Sequence, residues 1–270
     1  MVEVVARDGT RLRVHDTGPA NGPAVVLSGS LGTGMALWVP LLSFLPSGLR
    51  VVIYDMRGHG GSDVPPAPYS MDTLVNDAAD ICNELAIRDA LFVGLSVGGM
   101  VAIGLALQRP DLVRALVLSN TATKLGTVQQ WQQRIDTVRQ GGLSSVSDEI
   151  MHRWFGKDFY GSPSMPLWLD MLMRTPVEGY IGVCNAIAGT NLYEDASKLR
   201  IPVLGLAGDQ DGATPPDLVR ETVDLIPGSQ FQILRGVGHL PCVEAPEAYG
   251  LALTEFMADI GHFGKRSGSA

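Results

Sequence analysis

Short apolar runs alternate with longer segments of helical periodicity or composition along the first 120 residues. Strands are predicted at residues 2–6, 12–15, 24–28, 50–55, 90–93 and 115–119, and helices at residues 35–45, 71–86 and 99–108. Where strands alternate with helices in this way, the strands usually pair in parallel and helices cover both faces of the sheet. The pattern therefore predicts an α/β fold with a mostly parallel sheet.

The pattern changes after Thr121. Residues 122–194 lack strand signals and hold three tryptophans, four methionines and several short helical stretches. Alternation then returns, with strands predicted at 201–207 and 231–234 and helices at 216–225 and 246–260. We therefore expect one α/β core of residues 1–121 and 195–263, with residues 122–194 inserted as a helical cap. Residues 264–270 are predicted to be a flexible tail.

Charge and hydropathy exclude some classes of partner. A net charge of −8 argues against a basic surface that could neutralise nucleic-acid phosphates. No apolar run is long enough to span a membrane, and the charged N-terminal stretch MVEVVARDGTRLRVHD is unlike a signal peptide. We therefore expect a cytoplasmic protein that binds neither nucleic acid nor membranes. The apolar cap is a candidate interface for a homo-oligomer, although no sequence feature requires one.

Cysteine and histidine spacing bears on cofactors and compartment. Cys82, Cys184 and Cys242 lie far apart and form no Cys-x-x-Cys pair, which is typical of a reducing cytoplasm. The five histidines are scattered and show neither HxxxH nor HExxH spacing. We expect no metal site and no cofactor.

The stretch LFVGLSVGGM places Ser96 between Gly94 and Gly98, after an apolar run and before a buried helix. Glycines at these positions let a strand and a helix approach each other closely around the serine. This is the Gly-x-Ser-x-Gly pattern in which a strained turn exposes a nucleophilic hydroxyl. The alternative is an ordinary serine in a glycine-rich turn, because five residues are a weak signal by themselves.

A serine nucleophile needs a base and an acid that orients the base. In this strand order both partners should follow the serine, first the acid and then a histidine. The stretch LAGDQDGATPP offers Asp209 and Asp211, and RGVGHLPCVEAPE offers His239. We favour Asp211 as the acid by its position in the loop, with Asp209 as a turn former. The alternative for His239 is a surface or helix-capping histidine.

An oxyanion intermediate needs two backbone N–H groups directed at the developing charge. Val97, directly after the candidate nucleophile, is expected to supply one of them. The glycine-rich stretch SGSLGTG is expected to supply the other from Leu31, with Ser30 as the next candidate. The alternative for this stretch is a simple turn between a strand and a helix.

A second histidine lies in the stretch DMRGHGGSD. His59 precedes Ser96 in the chain, against the order expected for a catalytic base. We therefore predict a packing or pocket-edge role for His59, with Arg57 and Asp55 holding its loop.

The ordered stretches SGSLGTG, DMRGHGGSD, GLSVGG, GDQDGATPP and GVGHLP resemble those of the α/β-hydrolase superfamily, across the whole chain outside the cap. More narrowly, LSGSLGT, YDMRGHGGSD, GLSVGGMVA, SNTATKLGT, AGDQDGATPPDLV and GHLPCVEAPE are similar to those of the 3-oxoadipate enol-lactonases. The resemblance implies an eight-stranded, mostly parallel sheet flanked by helices. It also implies a triad of Ser96, Asp211 and His239. Gly29-Ser30 stands where many superfamily members have His-Gly, a departure that enol-lactonases share.

The cap offers a candidate site for the carboxylate that such a lactone carries. Trp131 and Arg134 lie three residues apart and share one face if this segment is helical. An arginine can pair with a carboxylate through two hydrogen bonds, and a tryptophan can cover a flat ring. The alternative is that Trp131 is a cap core residue and Arg134 a solvated charge. Trp154 and Met173 are further pocket candidates, for which packing is the alternative.

The motifs predict a cofactor-free serine hydrolase. The resemblance to the 3-oxoadipate enol-lactonases further implies that it opens 3-oxoadipate enol-lactone to 3-oxoadipate through an acyl-enzyme, in the β-ketoadipate route of aromatic breakdown. The alternatives within the enzymes are a broad carboxylesterase, a hydrolase of other lactones and a C–C bond hydrolase. A ligand-binding module that keeps the triad but turns over slowly is the alternative from another class, because fold does not determine function.

Overall fold

The structure is a computed structural model that describes residues 1–263, so the predicted tail at 264–270 lies outside the described residues. Within them, eight strands form one sheet in the order β1-β2-β4-β3-β5-β6-β7-β8. The strands are β1 (Val2–Val5), β2 (Arg11–Thr17), β3 (Ala24–Ser28), β4 (Arg50–Tyr54), β5 (Ala90–Leu95), β6 (Val113–Ser119), β7 (Val203–Gly208) and β8 (Gln230–Leu234). Strands β3 to β8 pair in parallel, and β2 is antiparallel to both of its neighbours. The predicted α/β-hydrolase fold with a mostly parallel sheet is confirmed.

Helices flank this sheet. Those of the core are α1 (Val39–Leu42), α2 (Met71–Glu84), α3 (Val97–Gln108), α9 (Pro216–Asp224), α10 (Pro241–Glu244) and α11 (Pro246–Asp259). The single helix predicted at 35–45 is divided into a 3₁₀ turn, Met35–Trp38, and the one-turn helix α1. Pro40 lies in the first turn of α1, where a missing N–H is tolerated, so a new helix begins there. The one-turn helix α10 was not predicted.

Five helices occupy the stretch between β6 and β7. They are α4 (Val128–Gly141), α5 (Ser147–Trp154), α6 (Met165–Met173), α7 (Val177–Ala188) and α8 (Tyr193–Ala196). A short 3₁₀ turn, Leu143–Ser145, precedes α5. Helices α4 and α7 pack against each other, whereas α8 contacts α3 and α9 of the core. The predicted cap boundary at residue 194 falls inside α8.

The central strands read as continuous apolar runs because they are covered on both faces. Every residue of β3, β5 and β7 is buried. Near the antiparallel edge, β2 instead alternates, with Leu12 and Val14 buried and Arg11 and Arg13 exposed. Among residues 1–263, no helix is long and apolar enough to cross a membrane.

The parallel pairing decides where loops can meet. The carboxyl ends of β3, β5, β7 and β8 lie at one edge of the sheet, because parallel strands run in the same direction. The loops that follow these strands carry Leu31, Ser96, Asp211 and His239 respectively. Four loops that carry candidate functional residues therefore lie at the same edge of the sheet.

Candidate active site

Ser96 forms the sharp turn between β5 and α3. Its φ is 59° and its ψ is −121°, a conformation that costs a residue with a side chain about 1–3 kcal/mol. Gly94 and Gly98 make the turn possible. A Cβ on Gly94 would lie 2.2 Å from the carbonyl oxygen of Gly98, and one on Gly98 would lie 2.3 Å from that of Ser28. The surrounding backbone therefore requires glycine on both sides of the serine.

Two hydrogen bonds hold the strained turn in place. The Ser96 N–H donates to the carbonyl of Ser119 at the end of β6, at 3.0 Å. The hydroxyl of Thr121 donates to the carbonyl of Ser96, at 2.6 Å. Ser96 borders a cavity of about 570 Å³, so the turn places this residue where a ligand can reach it.

Asp211 and His239 form a buried pair. The Asp211 Oδ2 lies 2.8 Å from the His239 Nδ1. The same oxygen accepts hydrogen bonds from the Thr214 hydroxyl at 2.6 Å and from the Asn120 amide at 2.8 Å. Burial alone would raise the pKa of Asp211, but His239 and these donors outweigh it and hold the pKa below its ordinary range. The carboxylate therefore stays charged and orients the His239 ring with Nε2 facing away from it.

Asp209, the other acid candidate, has a different role. Its Oδ1 accepts a hydrogen bond from the Gly236 N–H at 2.7 Å, and its Oδ2 lies 3.6 Å from Arg235. It therefore fastens the turn after β8, as expected for a turn former.

Ser96 and His239 border the same cavity. Within residues 1–263 no hydrogen bond joins them, whereas His239 is bonded to Asp211. Proton transfer between Ser96 and His239 therefore needs a reorientation of at least one side chain. Catalytic hydrogen bonds are often loose without substrate and tighten when it binds.

Two backbone N–H groups beside Ser96 are free. Those of Leu31 and Val97 donate no hydrogen bond within residues 1–263. Their neighbours are all engaged. Ser30 N–H donates to the Thr33 hydroxyl at 3.1 Å, and Gly98 N–H donates to the carbonyl of Gly29 at 3.2 Å. Of the two candidates in this loop, Leu31 rather than Ser30 has an N–H available to a ligand.

The loop with the sequence DMRGHGGSD lies behind this site. The carboxylate of Asp55 accepts hydrogen bonds from the N–H groups of Met35, at 2.7 Å, and Gly61, at 2.8 Å. Arg57 and Asp77 form a buried ion pair. His59 is fully buried and is not among the residues that line the cavity.

The cavity has a volume of about 570 Å³ and lies between the core and the inserted helices. Its floor includes Leu31, Ser96 and His239. Helices α4, α5 and α7 supply most of the remaining lining, including both sequence-predicted cap residues, Trp131 and Arg134. The Trp131 ring is half-buried, and its indole N–H donates to the carbonyl of Leu125.

The other two pocket candidates from the cap differ in position. Trp154 borders the cavity. The interpretation of Met173 as a pocket residue is wrong. Its side chain is 41% exposed at the end of α6 and lies outside the lining, because that face of the helix points to solvent.

The charges along the cavity wall form one cluster. The Arg134 guanidinium lies 2.7 Å from the Glu149 carboxylate, and Arg153 lies 3.5 Å from the same oxygen. All three side chains border the cavity, so its charged wall carries two positive groups for one negative group. Sequence reasoning missed Glu149 and Arg153. Their only signal is the i, i+4 spacing, which is common on solvent-exposed helices.

The end of α5 is joined to the loops that carry the acid and the base. The carbonyl of Arg153 accepts a hydrogen bond from Gly212 N–H at 3.2 Å, and that of Trp154 accepts one from His239 N–H at 2.7 Å. The carboxylate of Glu244 accepts from both Gly156 N–H, at 2.8 Å, and Gly238 N–H, at 2.7 Å.

Glu244 is another functional candidate that sequence reasoning missed. Burial raises the pKa of its carboxyl to about 7, although the two N–H donors oppose this effect. The residue joins the segment after α5 to the turn that precedes His239. Among residues 1–263, no group of three or more His, Cys, Asp or Glu side chains could hold a metal ion.

Comparison with known proteins identifies the family of the chain. The profile of the alpha/beta hydrolase fold matches residues 23–246. The 3-oxoadipate enol-lactonase 2 of Acinetobacter baylyi is 34% identical over 242 residues, which cover 89% of this chain and 90% of that protein.

Two solved structures have the same architecture. The enol-lactonase of Burkholderia xenovorans LB400 superposes with a TM-score of 0.91 at 32% identity, over 95% of this chain and 99% of that one. A thermophilic esterase of Thermogutta terrifontis, solved with malate bound, gives a TM-score of 0.90 at 26% identity, over 96% and 98%. The chain therefore belongs to the α/β-hydrolase family, in which it resembles the 3-oxoadipate enol-lactonases.

Proposed function

We propose that this hydrolase opens 3-oxoadipate enol-lactone to 3-oxoadipate through an acyl-enzyme, as a step in the breakdown of aromatic compounds. The observation that carries the proposal is the charged cluster of Arg134, Glu149 and Arg153 in the same cavity as Ser96 and His239. An excess of positive charge at this place in a chain of net charge −8 favours an anionic substrate. The Acinetobacter and Burkholderia relatives support the lactone in particular.

The first half of the reaction forms the acyl-enzyme. Because the Nδ1 of His239 faces Asp211, its Nε2 is the nitrogen that takes the proton from Ser96. The Ser96 oxygen then attacks the lactone carbonyl. The free N–H groups of Leu31 and Val97 stabilise the oxyanion of the tetrahedral intermediate.

Collapse of this intermediate breaks the ring C–O bond. The enol oxygen leaves with the proton held by His239, and it stays tethered to the acyl group because it was part of the ring. A water molecule then gives a proton to His239 and attacks the acyl carbonyl through a second tetrahedral intermediate. Ser96 leaves with that proton, and the freed enol tautomerises to the ketone of 3-oxoadipate.

The acetate arm of the lactone is placed by the cap. Its carboxylate fits against the guanidinium groups of Arg134 and Arg153, which can offer paired hydrogen bonds. The half-buried Trp131 ring borders the same space and can cover the flat lactone ring. A cytoplasmic location belongs to this proposal, and the three buried, unpaired cysteines fit a reducing compartment.

A carboxylesterase is the second candidate. The esterase of Thermogutta terrifontis shares the fold over 96% of this chain and was solved with malate bound. Malate is a small dicarboxylate, so a cavity of this shape and charge also suits esters of small anionic acids. The two candidates share the chemistry of Ser96 and differ in the acyl group.

Steady-state kinetics on two substrates tests the proposal. Enzymatically generated 3-oxoadipate enol-lactone is compared with p-nitrophenyl acetate, which carries no carboxylate. We expect wild-type turnover of the lactone, and Ser96→Ala should lower kcat on both substrates by about a thousandfold or more. Arg134→Gln should raise KM for the lactone about tenfold to a hundredfold, because it removes a charged hydrogen bond, and should leave the ester unaffected.

Arg174→Gln is the matched control. Arg174 is also a cap arginine paired with an acid, Asp170 at 2.8 Å, but it lies outside the cavity lining. Its kinetics on both substrates should match the wild type. Good ester turnover with negligible activity on the lactone would overturn the lactone assignment in favour of the esterase.

A further inference from the structure

We infer that His59 is a positioning residue for the oxyanion loop, residues 29–34. Its ring holds the Gly32 N–H away from the cavity and so keeps the Leu31 N–H available to the substrate oxyanion. The inference rests on the proposed function only in that this loop binds an oxyanion, and it does not depend on which ester or lactone is hydrolysed.

Both ring nitrogens of His59 are used. Nε2 lies 3.0 Å from the backbone nitrogen of Gly32, and Nδ1 lies 3.2 Å from the carbonyl oxygen of Arg57. A backbone N–H can only donate and a carbonyl can only accept, so the contacts define the tautomer. Nε2 carries the lone pair and Nδ1 carries the proton.

The environment keeps His59 in this form. Its side chain is fully buried, and burial lowers its pKa to about 4, well below its ordinary value. The ring is therefore neutral at neutral pH. A protonated ring would direct an Nε2–H at the Gly32 N–H and could not accept its hydrogen bond.

The oxyanion loop needs such a contact because of its own sequence. Gly32 has a φ of +81°, and a glycine can rotate its peptide groups more freely than any other residue. On the side of the cap, the Thr175 hydroxyl donates a hydrogen bond to the carbonyl of Gly32, at 3.3 Å. On the side of the core, the Gly32 N–H donates to the His59 ring.

The effect reaches Leu31 through the backbone. The peptide group before Leu31 and the peptide group before Gly32 are joined only by the two dihedral angles of Leu31. With the Gly32 N–H anchored on His59, the peptide group of Leu31 can change its direction only through these two angles. Anchoring Gly32 therefore restricts the directions open to the Leu31 N–H, in the loop that lines the same cavity as Ser96.

The support behind His59 is rigid. The guanidinium of Arg57, whose carbonyl accepts from the His59 ring, forms a buried pair with Asp77 and a second contact with Asp8 at 2.8 Å. Gly58 packs so closely against α7 that a Cβ on it would lie 2.4 Å from the Cα of Gly179. These contacts hold the backbone on the N-terminal side of His59, including the carbonyl of Arg57 that lies 3.2 Å from its ring.

Two amide variants separate the two contacts of the ring. His59→Asn can still reach the carbonyl of Arg57 but is too short to reach Gly32. His59→Gln can present its Oε1 near the position of Nε2. The matched control is His262→Asn at another buried histidine, whose Nε2 lies 3.0 Å from the carbonyl oxygen of Ala24 at the opposite end of β3.

The experiment measures the hydrolysis of p-nitrophenyl acetate, and the number of active sites is counted by covalent labelling with a phosphonate. The affinity for a boronic acid, which mimics the tetrahedral intermediate reversibly, is measured separately. His59→Asn should lower kcat per active site about tenfold to a hundredfold, with KM changed less than about threefold, because the loss falls on the tetrahedral state. Affinity for the boronic acid should fall by a similar factor. His59→Gln should restore most of both, and His262→Asn should keep wild-type kcat per site.

A purely structural role predicts a different pattern. His59→Asn would then lower Tm and the number of active sites, while kcat per site and boronic acid affinity would stay within about threefold of wild type; that result overturns the inference. If His59→Asn does not fold, His59→Leu takes its place. Ester turnover without lactone turnover would contradict the lactone assignment alone. A wild-type protein that neither hydrolyses the ester nor binds the boronic acid would overturn both proposals.

Discussion

The backbone N–H of His239 donates a hydrogen bond to the carbonyl of Trp154, with 2.7 Å between nitrogen and oxygen. The candidate base is thus attached to the last residue of cap helix α5. The preceding residue, Arg153, accepts from Gly212, next to the candidate acid, and directs its side chain to the cavity. One helix end therefore contacts the loops of both Asp211 and His239 and also part of the charged cluster.

Gly238→Ala should disturb the junction between the end of α5 and the loops that carry Asp211 and His239. A Cβ on Gly238 would lie 2.6 Å from the carbonyl oxygen of Trp154 and 2.9 Å from the nitrogen of Gly156, and backbone atoms cannot move aside easily. We expect a loss of about 1–3 kcal/mol in the free energy of unfolding and a lower kcat per active site. Urea unfolding and active-site titration measure the two effects.

The control for this prediction is Gly189→Ala at the end of α7, where the nearest atom to a new Cβ is 3.6 Å away. It should leave kcat unchanged. Wild-type kcat per site in Gly238→Ala would show that the junction does not position His239.

The two aspartates of the loop after β7 should respond differently to amide substitution. Asp211→Asn would put an amide beside the His239 Nδ1 and favour the wrong tautomer, so kcat should fall about a thousandfold or more. Asp209→Asn keeps an oxygen that can accept from Gly236, so kcat should stay within about threefold. Steady-state kinetics on p-nitrophenyl acetate compares them. A similar loss in both variants would contradict the assignment of the acid.

Glu149→Gln should raise the activity of the enzyme on an anionic substrate. The substitution removes the negative charge beside Arg134 and Arg153, and kcat/KM for the enol-lactone should rise about twofold to fivefold. The effect is small because the Glu149 side chain is 56% exposed and its charge is screened by water. It should shrink further in high salt, and p-nitrophenyl acetate should be unaffected.

Asp170→Asn provides the control for Glu149, because it removes a cap carboxylate that pairs with Arg174 outside the cavity. A decrease of lactone kcat/KM in Glu149→Gln would mean that Glu149 is needed to orient Arg134, and the role assigned to its charge would be wrong.

His59 makes the folded protein sensitive to acid. Burial lowers the pKa of His59 from its ordinary value of 6.5 to about 4 in the folded protein, so the free energy of unfolding falls as the pH is lowered between these values. Between pH 7 and pH 5 the contribution is about 2 kcal/mol. His59→Gln should therefore lose about 2 kcal/mol less than wild type over this interval, as measured by urea unfolding at both pH values. Parallel losses in the two proteins would contradict a neutral, buried His59.

The fold was largely predictable from the sequence. Apolar runs identify the strands because the central ones are buried on both faces, and parallel pairing brings the loops after them to one edge. That reasoning brought the stretches around Ser96, Asp211 and His239 together in advance. It failed for α10 and for the helix predicted at 35–45, because propensity describes one-turn helices poorly.

The contacts around the site were less predictable. Glu244 joins two glycine N–H groups, one of them 88 residues earlier in the chain, and no local pattern indicates such a contact. Glu149 and Arg153 look like an ordinary surface pair until the cavity is known. Conversely, Met173 looked like a pocket residue because an apolar side chain in a cap can face either inward or outward.

The junction at the end of α5 has a consequence for how substrate range can change. The bonds from Gly212 and His239 end on carbonyl oxygens of the cap, which every amino acid supplies. Substitutions at the side chains of α5 can therefore reshape the pocket wall while the loops that carry Asp211 and His239 keep these hydrogen bonds. The chemistry of the pocket wall can therefore change while the loops of the candidate acid and base stay attached to the same helix end.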